Sequence, residues 1–217
     1  MKSNIKVYRG VRLGKNFQIG DYSIIGIPIK NGNRTLEQTV IGDNSLIRSH
    51  TIIYSGNKIG DNFQTGHGVL VRESNEIGRN VSVGSHSIIE HHVKIGNNVR
   101  IHSGAFIPEY TVIEDNAWIG PQVTLTNAKY PASSLAKKYL SGPKIKKGAK
   151  IGGGAVLLPG VKIGRESLVG AGSVVNKDVP DRTVVAGNPA VWINKIENLF
   201  YGKNLKAYPE SINRKFK

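Results

Sequence analysis

The sequence contains no cysteine, one methionine and few aromatic residues, which make up 7% of its 217 residues. The absence of cysteine excludes disulfide scaffolds and cysteine metal sites. The small aromatic share indicates a core built from aliphatic side chains. Acidic residues are also scarce, since 15 Asp and Glu stand against 30 Lys and Arg and leave a net charge of +15. This balance favours anionic partners such as phosphates, nucleic acid or an acidic surface.

Long hydrophobic runs are also missing. No stretch approaches the roughly 20 consecutive apolar residues that a membrane-spanning helix requires. The segment from Met1 to Lys6 lacks the apolar run of a signal peptide. We therefore expect a cytoplasmic protein without a membrane partner, organised as one or two domains.

Aliphatic residues recur at every sixth position along most of the chain. The series runs from Val7 to Ile25, from Ile41 to Leu125 and from Ile145 to Val175, with Thr65 as its one interruption. An amphipathic helix repeats near 3.6 residues and a hairpin strand near 2, whereas a strict period of six is typical of short strands separated by corners. Three such hexads predict one triangular coil. Successive coils would then stack as parallel strands around a dry aliphatic column.

Asparagine recurs with the longer period of one coil. It occupies positions 44, 62, 80, 98 and 116, each 18 residues after the last. Asparagine is the non-glycine residue that best tolerates a left-handed backbone conformation, which a repeated sharp bend requires. These asparagines are therefore predicted to be structural corner residues.

The repeat is broken in two places and ends near residue 187. The register slips between Ile25 and Ile41 and between Leu125 and Ile145, which predicts projecting loops over 29–39 and 131–143. Loops on a rigid scaffold are where function tends to reside. Residues 1–187 are predicted to form the coil domain. Residues 188–217 are predicted to form a closing helix, begun by Asn188-Pro189, and a basic tail; the apolar residues of that helix are Trp192, Ile196, Leu199 and Phe200.

Residues 18 apart are expected to stack at the corners, and two such columns are polar. The column that we name the first corner contains Ser55, Glu73, His91, Glu109 and Asn127. The second corner contains Ser49, His67, Ser85, Ser103 and Pro121, flanked by His50 and His86. Both columns can be read simply as solvated corners. In the first, however, neighbouring carboxylates would orient an imidazole and raise its basicity, which suits a proton acceptor near neutral pH.

These columns supply the candidate site residues. The candidate catalytic residues are His91, Glu109 and Asn127. The candidate substrate-binding residues are Glu73, Arg72, His67, His86 and Tyr130.

The segments beginning Ile151-Gly-Gly-Gly-Ala-Val and Val169-Gly-Ala-Gly-Ser-Val, with Val184-Val-Ala-Gly-Asn-Pro-Ala, resemble the closing coils of acetyl-coenzyme A dependent sugar acyltransferases of the hexapeptide-repeat family. This resemblance implies an all-β fold, a left-handed parallel β-helix. It also implies a coenzyme A thioester as co-substrate and no metal. The small residues Gly152, Gly153, Gly170, Ala171 and Gly172 would leave the backbone open to the thin pantetheine arm. Lys177 and Arg182 would meet the phosphates.

The stretch from Trp118 to Pro131 resembles the segment before the loop in N-acyltransferases that act on nucleotide-linked amino sugars. The resemblance implies transfer of an acyl group, expected to be acetyl, to the amine of a deoxyamino sugar carried on a nucleotide, expected to be thymidine diphosphate. It further implies a homotrimer with sites between adjacent prisms. Family members often have Asn-Asp where this chain has Asn127-Ala128, so the role of that acidic residue is left open. His91 can act as the base, or carboxylate and amide groups can position an amine that has already lost its proton.

The sequence leaves three other functions open. The first is O-acyl transfer to a sugar hydroxyl, which makes a stronger demand for a general base. The second is a zinc carbonic anhydrase on the same prism, suggested by His50, His86 and His91. The hexad positions of His86 and His91 differ from the anhydrase pattern. The third is nucleic-acid binding, suggested by the net charge, although the basic residues are spread along the chain and not interleaved with aromatic residues.

Overall fold

The computed structural model of the protein describes residues 4–29, 38–203 and 205–208. Most of its strands are two residues long, and two short 3-10 helices span Ala136–Tyr139 and Ile196–Asn198. The strands in chain order are β1 (Lys6–Val7), β2 (Val11–Leu13), β3 (Gln18–Ile19), β4 (Ile24–Ile27), β5 (Thr39–Ile41), β6 (Leu46–Ile47), β7 (Ile52–Tyr54), β8 (Lys58–Ile59), β9 (Gln64–Thr65), β10 (Leu70–Val71), β11 (Glu76–Ile77), β12 (Ser82–Val83), β13 (Ile88–Ile89), β14 (Lys94–Ile95), β15 (Arg100–Ile101), β16 (Phe106–Ile107), β17 (Val112–Ile113), β18 (Trp118–Ile119), β19 (Thr124–Leu125), β20 (Lys144–Ile145), β21 (Lys150–Ile151), β22 (Val156–Leu157), β23 (Lys162–Ile163), β24 (Leu168–Val169), β25 (Val174–Val175), β26 (Thr183–Gly187) and β27 (Ala190–Lys195).

Successive strands belong in turn to three parallel sheets, so that every third strand enters the same sheet, as a triangular coil requires. Sheet 1 has the order β1-β4-β7-β10-β13-β16-β19-β22-β25, and sheet 2 has the order β2-β5-β8-β11-β14-β17-β20-β23. Sheet 3 runs β27-β26-β24-β21-β18-β15-β12-β9-β6-β3. Val71 pairs with Ile53 of the coil before and Ile89 of the coil after, so residues 18 apart are spatial neighbours. The predicted left-handed parallel β-helix is confirmed.

The sixfold aliphatic series forms the core. From Ile25 to Val175 its members are buried, and Thr65, which interrupts the series, is also buried. The Thr65 hydroxyl lies 3.2 Å from that of Thr51, so its burial leaves no unpaired oxygen. Val7 and Leu13 are 45% and 39% exposed because they belong to the first coil, which has no coil beneath it.

The corner between sheets 2 and 3 is built from the recurring asparagines. Asn44, Asn62, Asn80, Asn98 and Asn116 all have φ between 55° and 60°. Their side chains form a ladder in which the amide of Asn62 donates to Asn80 over 2.8 Å and that of Asn80 donates to Asn98 over 2.9 Å. Their predicted left-handed conformation is therefore observed.

Both breaks in the repeat occur at the corner between sheets 1 and 2, which is the first corner. The earlier break lies between β4 and β5, and the later one lies between β19 and β20. Residues 30–37 of the predicted 29–39 loop lie outside the described residues. The other insertion leaves the prism after Asn127 and returns at Ser141, where the Ser141 N–H donates to the Asn127 carbonyl over 2.9 Å.

The helix predicted after Asn188 is wrong over most of its length. Ala190–Lys195 is a strand that pairs antiparallel with β26, and only the 3-10 helix Ile196–Asn198 follows. The run Ala190-Val-Trp-Ile favours a strand, because β-branched and aromatic side chains fit a pleated surface. By folding back, β27 also pairs with the edge of β26 that would otherwise be free. The basic tail at 214–217 lies outside the described residues.

The three outer faces differ in polarity. The outward residues of sheet 1 are half-buried apolar side chains except at Lys6 and Thr124; they are Ile24, Ile52, Leu70, Ile88, Phe106, Val156 and Val174. The equivalent column on sheet 2 contains Lys58, Glu76 and Lys94. A charged face is stable in water, whereas a continuous apolar face marks a contact surface. In the described parts of the chain, no helix is long and apolar enough to span a bilayer.

Candidate functional site

The first corner brings together the stacked residues that its spacing predicts. His91 lies between Glu73 of the preceding coil and Glu109 of the following coil. The Nε2 atom of His91 lies 2.8 Å from Oε1 of Glu109, and both side chains are 23% exposed. A carboxylate at this distance fixes the orientation of the ring. Because the contact is made through Nε2, a ligand that reaches this nitrogen has to displace Glu109 from it.

The ring of His91 is walled on one side by two further rings. His92 meets it edge to face, with centroids 4.9 Å apart, and Tyr110 does so at 6.4 Å. His92 and Tyr110 are stacked on each other and both have positive φ, which points them outward from the corner. The Nδ1 atom of His91 is buried and has no hydrogen-bond partner among the described residues. Nε2 is therefore the ring nitrogen that is left for chemistry.

Arg72 does not extend freely into the site as a substrate-binding residue would. Its Nε and one terminal nitrogen donate to the two carboxylate oxygens of Glu73 over 2.8 and 2.9 Å. Its other terminal nitrogen lies 3.4 Å from Glu90, and the guanidinium lies 5.2 Å from the centre of the Tyr54 ring. Burial alone would raise the pKa of Glu73, but hydrogen bonds from Arg72 and the backbone, together with nearby positive charge, lower it overall. Glu73 is therefore held as a carboxylate beside His91.

Glu90 completes a triangle with His91 and Glu109. One ligand-type atom from each of the three lies within 4.8 Å of the others. Glu90 is a functional candidate that the sequence analysis did not select. Its signal was present, because it stands 18 residues after Arg72 and therefore stacks on it.

The histidines proposed for zinc are not grouped in this way. His50 and His86 lie on the second corner, at the opposite edge of sheet 1 from His91. Among the described residues, the only cluster close enough for a metal contains one histidine, His91. The three-histidine site suggested by His50, His86 and His91 is therefore wrong within a single chain.

The loop 131–143 rises directly beside Glu109. It is basic and exposed, with Tyr130 and Tyr139 67% and 65% exposed and Lys129 over the Tyr130 ring at 5.4 Å. The residues from Asn116 to Arg165 contain no Asp or Glu, so no carboxylate within this stretch offsets the charge of the loop. Tyr130 is available to a ligand that reaches the first corner.

Gly142 anchors the returning arm of this loop on the site. A Cβ added there would lie 2.4 Å from the Thr111 nitrogen, 2.6 Å from the Tyr110 carbonyl carbon and 2.7 Å from the Glu109 oxygen. All three are backbone atoms that cannot turn aside. Glycine thus allows the arm to lie against the backbone that carries Glu109, a role that the sequence analysis did not detect.

Gly142→Ala is expected to push this arm away from Glu109. The free energy of unfolding should fall by about 1–3 kcal/mol, as is usual for an overpacked contact. The loop should also be cleaved faster in limited proteolysis. Urea unfolding would measure the first effect, with Ser141→Ala on the same arm as the control. Unchanged unfolding and proteolysis would show that the arm is not held by this contact.

The second corner lies apart from the first in one chain. Six residues separate the two corners, which places them up to about 20 Å apart. There, Nδ1 of His67 lies 2.7 Å from the Ser49 hydroxyl, and the ring of His86, in the next coil, lies against Gly68. His67 and His86, predicted to bind substrate, therefore do not join His91 within the same prism. The sixth histidine, His102, lies against Trp118 with ring centroids 4.7 Å apart and ring planes tilted by 57°, and burial with the charge of Arg100 lowers the pKa of His102.

The small residues predicted to bind coenzyme A lie at the upper end of the second corner but do not act alike. A Cβ at Gly152 would lie 2.4 Å from the Ala171 nitrogen, and one at Gly170 would lie 2.8 Å from the Ala186 Cβ. These two glycines therefore serve close stacking of the coils, and the prediction that they open the backbone to a ligand is wrong.

Two small residues on this corner do face open space. Ala171 and Gly172 are exposed, and nothing lies within 4 Å of a Cβ built on Gly172. In the described chain, the N–H groups of Gly153 and Ala171 donate no backbone hydrogen bond. Open edges with free amides fit the amide-containing pantetheine arm.

The two predicted phosphate ligands also differ. Lys177 is exposed, whereas Arg182 lies 2.7 Å from Glu166 and 3.6 Å from Glu197. Lys177 is therefore the less engaged of the two, but it follows β25 of sheet 1 and lies at the first corner, across sheet 1 from the small residues.

The repeat itself matches a known family. The family described as "Bacterial transferase hexapeptide (six repeats)" matches residues 76–109 and 142–177. These two ranges, which together make up less than half of the chain, are similar to the hexapeptide repeat of bacterial transferases. These two ranges include His91, Glu109, Gly142 and the small residues of the second corner.

Similar proteins are acetyltransferases. Galactoside O-acetyltransferase of Lactococcus lactis is 37% identical over 90 residues, which cover 40% of this chain and 44% of that protein. Galactoside O-acetyltransferase of Escherichia coli is 37% identical over 102 residues, 44% of this chain and 50% of that protein. This chain thus spans about half the length of the curated relatives. A solved structure of a perosamine N-acetyltransferase variant from Caulobacter crescentus, in complex with CoA and GDP-perosamine, is 26% identical with a TM-score of 0.40, covering 67% of this chain and 57% of that one.

Proposed function

We propose that the protein transfers an acetyl group from acetyl-coenzyme A to the amine of a nucleotide-linked deoxyamino sugar, with thymidine diphosphate as the expected nucleotide. Its similarity to acetyltransferases supports the reaction class. The choice of an amine rests on one observation, the crowding of carboxylates around His91. Glu73, Glu90 and Glu109 surround a single imidazole, and among the residues that the structure describes Arg72 is the one cation paired with them, in a chain whose net charge is +15.

Such a local negative charge attracts a cation, and the acceptor amine is a cation before it reacts. Carboxylates near a neutral hydroxyl give no comparable electrostatic benefit. A bound ammonium would be held by Glu90 and Glu109, next to Nε2 of His91. This arrangement concentrates the amine at the base and orients it before the reaction.

His91 would then act at Nε2. When the amine takes over the hydrogen bond to Glu109, the ring holds its own hydrogen on Nδ1 and Nε2 becomes an acceptor. The bound ammonium first loses one proton to solvent. As the new C–N bond forms and the C–S bond breaks, Nε2 accepts a second proton from the nitrogen and returns it to the sulfur. Coenzyme A supplies the acetyl group and leaves as the free thiol.

The donor and acceptor groups proposed here lie on different corners, so one prism does not complete a site. Sheet 1 separates them, and its outer face is the apolar one. We infer a homotrimer in which the three copies of sheet 1 face the threefold axis, as closed cyclic symmetry allows. The first corner of each protomer then lies beside the second corner of the next. The thioester is enclosed between two walls that exclude water.

This arrangement assigns the remaining residues. Gly153, Ala171 and Gly172 would bind the pantetheine arm. Lys177, at the upper end of the first corner, would meet a phosphate of the coenzyme A held by the neighbouring protomer, while Tyr130 beside the basic loop would meet the nucleotide. His67 and His86 would face the acceptor from the neighbouring protomer. Asn127, above Glu109, would position the amine. No metal takes part in these steps, and a cytoplasmic location remains a prediction.

O-acetylation of a sugar hydroxyl is the second candidate, because the similar proteins from Lactococcus lactis and Escherichia coli are galactoside O-acetyltransferases. A hydroxyl is a weaker acid than an ammonium group, so this reaction would depend more strongly on His91 as a base. It does not explain why three carboxylates crowd the site.

A thiol-release assay with acetyl-coenzyme A distinguishes the two. The panel contains a thymidine diphosphate amino sugar, the same nucleotide sugar with a hydroxyl in place of the amine, and a simple galactoside. We expect rapid thiol release with the amino sugar and little with its hydroxyl analogue. Release with the hydroxyl analogue or the galactoside, and not with the amine, would overturn the proposal in favour of O-acetylation.

A further inference from the structure

Arg72 is bound to two carboxylates of the site rather than to solvent. Its guanidinium makes a two-pronged contact with Glu73 and a third contact with Glu90, at the distances given above. Glu73 stacks directly beneath His91, and Glu90 shares the triangle with His91 and Glu109. Arg72 therefore contacts two of the three acidic residues around the imidazole without contacting the imidazole itself.

The backbone beneath Arg72 is held as firmly as its side chain. The carbonyl of Arg72 accepts hydrogen bonds from the side-chain amides of Asn57 and Asn75, both over 2.8 Å. Both asparagines are fully buried. The side-chain Oδ1 of Asn75 also accepts from the Val93 N–H over 2.7 Å, which ties this coil to the one that carries His91. An arginine whose backbone carbonyl and guanidinium are both held by hydrogen bonds is suited to holding other groups in place.

We infer that Arg72 is a positioning residue that sets the charge around His91, and that it does not bind the substrate phosphates. The inference rests on the proposed role of His91 as the base. The groups facing His91 are Glu73, Glu90, Glu109, His92 and Tyr110, and Arg72 stands behind the first two. Without Arg72, three carboxylates would surround the ring uncompensated. They would favour the imidazolium form, which cannot accept a proton.

The test compares Arg72→Gln with Arg72→Lys, and uses Lys162→Gln as the control. Lys162 lies 3.9 Å from Asp178 in an exposed pair several coils above His91, so its loss removes one charge from the protein far from the imidazole. The first measurement is the NMR titration of the His91 ring C–H signals in the protein without ligands. These signals are assigned by their absence from His91→Asn.

In Arg72→Gln, we expect the pH at which half of the His91 rings become doubly protonated to rise by about one unit relative to the unsubstituted protein. Arg72→Lys should restore most of this change, and Lys162→Gln should produce none. Glu90→Gln is a second variant, expected to move the midpoint in the opposite direction. Glu90→Gln still tests the inference if Arg72→Gln fails to fold.

The second measurement is the pH profile of turnover. The acid limb should move upward with the His91 midpoint in Arg72→Gln, with KM for the sugar nucleotide changed little. A raised KM with an unmoved titration would overturn the inference and return Arg72 to substrate binding. The NMR result does not require turnover. A shifted titration in a protein that lacks the proposed activity would therefore reject the proposed function and keep the positioning role.

Discussion

Replacing His91 with asparagine is expected to lower turnover by about 10²- to 10⁴-fold, which is the usual contribution of a positioned general base. KM for both substrates should change little, because the ammonium is held mainly by Glu90 and Glu109. The asparagine amide can still donate to Glu109, so the corner should keep its shape. Steady-state kinetics with the amino-sugar nucleotide measures the effect.

His50→Asn is the matched control. His50 is also an exposed corner histidine, it stacks on Tyr22 with centroids 5.1 Å apart, and its φ of 63° is one that asparagine tolerates. We expect this variant to keep normal turnover, and both variants to unfold within about 0.5 kcal/mol of the unsubstituted protein. Near-normal turnover in His91→Asn would eliminate the base. The carboxylates would then position an amine that loses its proton beforehand.

The fold was predictable because one rule governs most of the chain. A side chain at every sixth position has to fill the same column, so periodicity alone identifies buried residues such as Ile53, Val71 and Ile89. The same arithmetic predicts that His91 and Glu109 meet. The same arithmetic also stacks Glu90 on Arg72, in the column next to the first corner. Selection by the first corner alone does not identify Glu90.

The errors fall where the repeat stops or where local packing decides. After Gly187 the repeat no longer determines the structure. Ala190–Lys195 pairs as a strand with the free edge of β26, although the spacing of its apolar residues suggested a helix. Glycines are equally ambiguous in sequence. At Gly152 and Gly142 a Cβ atom would collide with the backbone of another coil, whereas Gly172 faces open space. Only the structure distinguishes these two roles.

The role of Arg72 could not be read from sequence for a similar reason. An arginine in a basic protein with a phosphate-bearing substrate is an obvious phosphate ligand. Its pairing with Glu73 depends on a side-chain geometry that periodicity does not specify. The spacing shows that charges will be neighbours, but it does not show which of them neutralise each other.

The prediction that most directly tests the assembly is activity restored by mixing two inactive variants. His91→Asn disables the first corner. Ala171→Trp fills the open edge of the second corner, where the Ala171 side chain is exposed. Each variant alone should be inactive. Co-expressed in equal amounts, they should form mixed trimers in which one junction joins an intact first corner to an intact second corner of the next protomer.

In a closed ring of three with head-to-tail contacts, every mixed trimer has one such junction, and three quarters of random trimers are mixed. We therefore expect about one quarter of the activity of the unsubstituted protein. The control mixes unsubstituted protein with a chain carrying both substitutions. That mixture should also retain about one quarter if sites lie between chains, but about one half if each chain holds a whole site.

Sedimentation of the mixtures shows whether the expected trimers have formed. A trimer with no restored activity would contradict a site that spans two chains, because the intact corners would be present together and still not cooperate. A monomer at micromolar concentration would remove the assembly altogether. The apolar face of sheet 1 would then need another explanation, because a solvent-exposed row from Ile52 to Phe106 is unfavourable in water.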